Sequence, residues 1–303
     1  MKARFTTLLL LAASGIPATL RAEQPGETGA ETTAYAAGFS AVYLGDTDFK
    51  GAGAGLGGVS TTILSASAGR SFVAGPGWGL DVSLGWQGAF FESERENLAP
   101  LVERLQGISA SAVVRHRLNE KWSFMGSAGV GIRNSGTGFD SDGLGFEGGA
   151  GFLRSFGEDL NVLFGVVVNS LARDNHRIMA GLGVNYRISP QWHLSLGFPE
   201  TSLTWSPSRT FRFSLVAEGN LETYHVRERD IRGNTSAGID SGLMEYGNSR
   251  AGLRATTLLP AGLELSGTAG YMFMEKFDFF EDGTKIESDG GAPYGSISIS
   301  AKF

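Results

Sequence analysis

In the stretch GWGLDVSLGWQGAFF, residues 77–91, apolar and polar positions alternate one by one. Trp78, Leu80, Val82, Leu84, Trp86 and Phe90 fall on one side, and Gly79, Asp81, Ser83, Gly85 and Gln87 on the other. Successive side chains of a strand point to opposite faces, so this period of two predicts a strand with one apolar and one hydrophilic surface. The same alternation recurs to the last residue. It predicts fourteen strands, at 35–44, 59–72, 78–91, 108–118, 121–133, 144–156, 160–172, 176–188, 191–198, 202–206, 210–226, 243–259, 262–279 and 293–303.

The connections alternate in kind. Short turns, AGPG (74–77), NEK (119–121), GED (157–159), SPQ (189–191), SPS (206–208) and LPAG (259–262), take turns with connections that are mostly longer. The latter lie at 45–58, 92–107, 134–143, 173–175, 199–201, 227–242 and 280–292. Short turns on one rim and longer loops on the other describe an all-β, transmembrane, antiparallel up-and-down barrel. An even strand number returns both termini to the short-turn, periplasmic rim. If 191–206 is an irregular excursion, the count becomes twelve.

Tryptophan placement separates lipid from a protein core as the partner of the apolar face. Trp78, Trp122, Trp192 and Trp205 each lie within two residues of a short turn, on the apolar phase of their strands. Amphipathic rings collect at a bilayer interface, so these four are expected to form an aromatic girdle. From residue 78 to residue 88 the strand takes ten steps of ~3.3 Å, which a tilt of ~40° shortens to roughly 25 Å, the height of a lipid-facing band.

The chain ends on YGSISISAKF, where Gly295, Ile297, Ile299, Ala301 and Phe303 alternate with Ser296, Ser298, Ser300 and Lys302. A terminal phenylalanine on such a strand resembles the assembly signal of bacterial outer-membrane barrels, which makes Phe303 the expected contact of the barrel-assembly machinery. The long hairpin 210–259 yields a register. If its loop is symmetric about residue 234, partners sum to about 468, setting Glu218 opposite Arg250 and Glu222 opposite Tyr246, all four pointing inward.

The N-terminus changes the picture of where the chain goes. Lys2 and Arg4 precede an apolar run, Leu8–Ala13, and the stretch closes at LRA before Glu23. That layout predicts a secretory signal peptide over 1–22, a flexible leader over 23–33 and the barrel over 34–303. Removing Lys2, Arg4 and Arg21 leaves 22 basic against 31 acidic residues, a net charge of −9, which argues against nucleic acid as a partner. No later stretch approaches eighteen consecutive apolar residues, so any membrane crossing is made by strands. There is no cysteine, hence neither a disulfide nor a thiolate metal site. The 45 glycines, about double the usual ~7% share, sit inside the alternating segments as well as in loops, as in curved, close-packed barrel strands.

The stretch LSLGFPETSLTWSPSRTFRFSLVAEG, with Pro199 and Pro207 bracketing a short strand ahead of a long amphipathic one, resembles a family of uncharacterised bacterial outer-membrane β-barrels known as a domain of unknown function. The resemblance implies the barrel and the outer membrane, and no activity.

Candidate chemistry is sparse. Gly53, Gly55 and Gly58, and again Gly143, Gly145 and Gly148, fit the dinucleotide fingerprint by letter, but the first set precedes a strand instead of a helix and the second runs into one. His116, His176, His193 and His225 are scattered over different strands, without a second ligand at metal spacing on the same strand face. No catalytic residue, metal or cofactor is therefore expected. The inward set is more informative. It includes Asp81, Arg115, Arg117, Arg133, Glu147, Arg187, Arg212, Glu218, Glu222, Arg250, Arg254 and Glu264, a mixed-sign lining. Such a lining suits a porin-like passive channel for small hydrophilic solutes, and equally a barrel closed by internal pairs that serves structure or surface interaction. A barrel enzyme acting on lipid is the third reading. The loops 92–107 and 227–242 either fold inward as constrictions or stay outside.

Overall fold

The computed structural model describes residues 34–51, 57–93, 101–232 and 241–303. The expected signal peptide, the leader, Gly53 and Gly55, and the middles of loops 92–107 and 227–242 lie outside these residues. Fourteen strands form the wall: β1 (Ala34–Thr47), β2 (Val59–Gly75), β3 (Trp78–Ser93), β4 (Arg104–Arg117), β5 (Trp122–Ser135), β6 (Leu144–Phe156) and β7 (Leu160–Asn169). The second half comprises β8 (Ile178–Arg187), β9 (Trp192–Leu196), β10 (Glu200–Trp205), β11 (Phe211–Val226), β12 (Gly242–Leu259), β13 (Leu263–Phe279) and β14 (Ala292–Lys302). Each strand pairs antiparallel with the next, and β14 returns to β1 with Lys302 opposite Ala36, so the barrel is closed. The last residue completes the seam: Phe303 N–H donates to Tyr35 O at 2.9 Å, and Tyr35 N–H to Phe303 O at 3.0 Å.

All fourteen expected strands are present, including the two short ones within 191–206. The larger differences lie at the long-loop rim; at the other rim β2 runs to Gly75, three residues beyond its expected end. At the long-loop rim β4 begins four residues earlier than expected, and Phe49–Gly51 and Thr284–Ser288, both expected as loop, pair with each other. Turns at the opposite rim are tight. Gly77 closes the β2–β3 hairpin at φ +74, a conformation in which a side chain is strained, and its carbonyl accepts from Arg117 N–H at 2.8 Å.

The wall is uneven in height, and this decides the shape of the interior. β7 to β10 have 10, 10, 5 and 6 residues, whereas β11 and β12 have 16 and 18. The tall hairpin crosses over the low part of the wall, and its tip meets β5 directly, His225 bridging Asn134. A second tie crosses the same mouth, where Ile231–Arg232 pairs with Leu101–Val102.

One bulge changes which side chains face in. The register between β12 and β13 shifts at Ser249/Arg250, so that Arg250 faces Met272 but Ser249 faces Met274, with Phe273 as the extra residue. Before the bulge Glu264, Ser266, Thr268 and Met272 point inward; after it Glu275, Phe277 and Phe279 do. The phase of the β13 tip is thus opposite to the one that uninterrupted alternation implies.

Candidate functional site

The interior is built in three storeys. At the long-loop end, inward side chains from β1, β2, β3, β4, β11, β12, β13 and β14 meet one another instead of enclosing water. Leu44, Leu105, Tyr224, Tyr246, Met244, Met272 and Phe277 are each 0% exposed. Phe91, Tyr246 and Phe277 form the centre of this core, with ring centroids 5.0–5.2 Å apart and Phe91 edge-on to the other two. The crossing of the β11–β12 hairpin brings these residues into contact, because a fourteen-stranded wall of uniform height would hold its two sides apart.

A carboxyl is enclosed in this apolar core. Glu275 is fully buried; its Oε1 accepts from Tyr246 Oη at 2.7 Å and from Thr61 Oγ1 at 2.8 Å. Its Oε2 has no hydrogen-bond partner among the described residues. Close by, Tyr224 Oη donates to Glu222, and Arg133 Nη2 reaches Glu147 Oε1 at 2.7 Å, both ion-pair side chains being largely buried. Glu222 and Glu147, expected on the inward face, stand within or against the packed storey. For Glu222 the cause is the hairpin, whose tip carries it across the mouth.

The middle storey is a chain of ions. Glu218 accepts from Arg250 Nε at 2.7 Å and also binds Arg254 Nη2, and Arg254 Nη1 continues to Glu200 at 2.7 Å. Glu218 stands opposite Arg250 and Glu222 opposite Tyr246, the register that symmetry about residue 234 gives. Arg250 also lies over the Tyr294 ring at 5.4 Å. Two facing glycines make room for that ring. A Cβ on Gly270 would stand 2.6 Å from Tyr294 Cε1, and one on Gly252 2.8 Å from Tyr294 Oη.

Below this belt many inward residues are small and half-buried, Ser65, Ser67, Gly69, Ser109, Ser111, Ser127, Gly129, Ser296 and Ser298 among them, with Val113, Leu153 and Leu163 on the same inward phase. Their hydroxyls pair across strands, Ser40 with Ser65 at 2.7 Å, Ser83 with Ser111 at 2.8 Å and Ser266 with Ser298 at 2.7 Å. Charges at this level are paired as well, Asp81 with Arg115 and Glu264 with Arg212. At the rim itself, Arg187 turns to the β6–β7 turn and pairs with Asp159 at 2.6 Å, and Arg117 is exposed. These two belong to the mouth.

On the outer surface Trp78, Trp192 and Trp205 are exposed by 39–43%, and Trp122 is half-buried, all near the short-turn rim. Trp192 stacks on Trp205, Trp122 meets Phe152 and Phe164 edge-on, and Trp78 stacks on His116 at 3.9 Å. His193 faces Thr204 across the β9–β10 ladder. The other two histidines meet acids from distant segments: His176 Nδ1 lies 3.0 Å from Glu245 Oε1, and His225 Nδ1 lies 3.7 Å from Asp140 Oδ1. Gly145 and Gly148 lie within β6, as expected of close-packed strand glycines.

Sequence reasoning missed the packed storey. Tyr246 was placed inward by register, but periodicity assigns a face and is silent on height, so it gave no sign that opposite walls touch. The run YMFMEKFDFF (271–280), apolar on both phases, was the available signal that alternation breaks there.

The chain belongs to the family described as Domain of unknown function (DUF6268), whose model matches residues 78–286. No curated protein matches it. Among solved structures it is similar to the COG4313 outer membrane channel from Pseudomonas putida F1, at 11% identity and TM-score 0.46, over 92% of this chain and 99% of that one. It is also similar to a Pseudomonas aeruginosa FadL homologue, at 8% identity and TM-score 0.48, over 89% of each chain. The translocator domain of the autotransporter NalP from Neisseria meningitidis matches at 13% identity and TM-score 0.41, over 90% and 89%. The barrel described above rests on this chain's own strand pairing.

Proposed function

We propose that this protein is an outer-membrane barrel that conducts small hydrophilic solutes when its loop-side core opens, the described conformation being the shut one. The observation that carries this reading is the contrast between storeys. The half next to the short turns is lined largely with serine, glycine and paired ions, most of them half-buried, whereas the half next to the loops is closed by large, fully buried apolar side chains. A barrel that serves only as a scaffold has no use for such a hydrophilic half-lumen, and a permanently open porin would have no closed core. Exported and inserted in this sense, the chain has lipid around its apolar exterior, the assembly machinery at its closing strand and both termini on the periplasmic side.

Planar-bilayer recording tests the reading. The wild-type protein is expected to show brief, rare openings, and a Phe91→Ala, Tyr246→Ala, Phe277→Ala variant sustained conductance that scales with salt. A triple variant that inserts, keeps its heat-modifiable mobility and stays silent would refute the channel. The same silence would favour a structural barrel, the second reading, for which the tightness of the packed core speaks.

A further inference from the structure

We infer that Asp140, Asp142 and His225 form a divalent-cation site that clamps the tip of the β11–β12 hairpin to β5. The site lies outside the barrel wall, where the 136–143 connection folds against the end of β11. Its geometry is prepared by the chain. Asn134 Nδ2 donates to Asp140 Oδ1 at 2.7 Å, Asp140 N–H returns a bond to Asn134 Oδ1 at 3.2 Å, and Asp142 N–H caps the same carboxylate at 3.2 Å. Asp142 then sits in the single turn Ser141–Gly143, next to its partner.

His225 joins the two carboxylates from another strand. It is the β11 residue that bridges Asn134, and its Nδ1 is shielded from solvent, makes no hydrogen bond and lies 3.7 Å from Asp140 Oδ1. One ligand atom from each of the three residues lies within 4.8 Å of the others. Nitrogen and oxygen ligands at ~2.0–2.2 Å from a zinc-class ion stand roughly 3.4 Å apart around a tetrahedron, so small movements of exposed Asp142 and of the His225 ring complete the set.

Local charge favours a cation. Asp140 and Asp230 both lie against Arg227 and Asp142 stands beside Asp140, so these four groups sum to −2, which a divalent ion would cancel. Arg227 approaches Asp140 Oδ2 at 3.5 Å but is claimed by Asp230 at 2.6 Å and by the Ser135 carbonyl at 2.6 Å, while Asp140 Oδ1, held by Asn134 and Asp142 N–H, is the oxygen 3.7 Å from the imidazole. One imidazole with carboxylates suits zinc or manganese better than calcium or magnesium, which take all-oxygen sets. The plain alternative is a direct contact of His225 with Asp140, which needs no metal.

The position gives the site its consequence, which rests on the channel reading. Among the described residues the His225–Asn134 bridge is the only ladder contact between β5 and β11, and the packed storey exists because those two strands meet. A cation there would hold the mouth shut.

The test uses the full chain folded in detergent, dialysed against zinc, manganese or magnesium, with bound metal measured by elemental analysis. One zinc per chain is expected, with magnesium left unbound. Asp142→Asn and His225→Gln should each weaken zinc binding by about tenfold or more with heat-modifiable mobility unchanged. Absence of stoichiometric zinc, or variants that bind it as the wild type does, overturns the site and leaves the direct His225–Asp140 contact. Binding is read without conductance, so zinc bound by a chain that never conducts sustains the site while refuting the channel. Where conductance is present, zinc should reduce open probability in the wild type and leave Asp142→Asn unaffected.

Discussion

The residue that matters most to the closed core is Glu275, an acid whose side chain has two hydrogen-bond donors among the described residues, Tyr246 and Thr61. A buried group left short of a partner costs about 1–3 kcal/mol, so Tyr246→Phe, which keeps the ring and removes one donor, should lower stability by that order. Glu275→Gln keeps the shape and removes the need to hold charge in an apolar site, so its cost should be smaller than that of Tyr246→Phe. Unfolding midpoints in detergent rank the two variants; a larger loss for Glu275→Gln would contradict this account. Phe303 presents the opposite case. Its main chain closes the barrel seam, but its side chain is 71% exposed and contributes little to the folded wall. Phe303→Ala should therefore leave the unfolding midpoint nearly unchanged while lowering the amount inserted in cells, measured as the heat-modifiable band of the membrane fraction. Equal insertion would show that the terminal ring is no assembly signal.

Among the elements, the β11–β12 hairpin shows both what periodicity encodes and what it omits. Its register was legible because two long amphipathic runs around one loop admit few symmetric pairings, and the Glu218–Arg250 bond follows from it. That Arg254 and Glu200 join the same chain was not legible. Arg254 sits two inward positions further along β12, beyond Gly252, and Glu200 comes from a six-residue strand whose own register depends on its neighbours. The bulge at Phe273 was hidden for a related reason. Where both phases carry apolar residues, one inserted residue leaves the pattern unchanged, and Glu275 and Phe277 change face unseen. The ion chain makes a prediction for the conducting variant that lacks the aromatic core. Glu218→Gln strips Arg250 and Arg254 of their shared acid and should move selectivity towards anions. Adding Arg250→Gln leaves Arg254 on Glu200 and should return it close to the starting value. Reversal potentials in a salt gradient measure both, and a shift towards cations in Glu218→Gln would show that the chain does not face the passage.

At the scale of the whole molecule, the outer surface decides which solvent the barrel lives in. Leu84, Phe146, Ile178, Leu253 and Phe273 are 59–71% exposed, distributed around the circumference, and tryptophans border them on the short-turn side. Soluble proteins rarely expose contiguous apolar surface beyond a few hundred Å². A continuous belt of such residues calls for lipid, and the charge of the solvent can be tested at one residue. Leu84 lies six residues from Trp78 in a sixteen-residue strand, near mid-height, and points outward; Ser83 beside it points inward, hydrogen-bonded to Ser111. In a bilayer an arginine at the middle of the lipid face costs about 2–4 kcal/mol, and one facing a wet interior costs little. Leu84→Arg should then fold into vesicles with a stability lower by that amount, while Ser83→Arg should stay within about 1 kcal/mol of the wild type. In water the difference disappears, because an exposed leucine gives up nothing to arginine. Denaturant unfolding from vesicles distinguishes the two. A Leu84→Arg variant as stable as the wild type would mean that the apolar face, from which the fold was first read, touches something other than lipid.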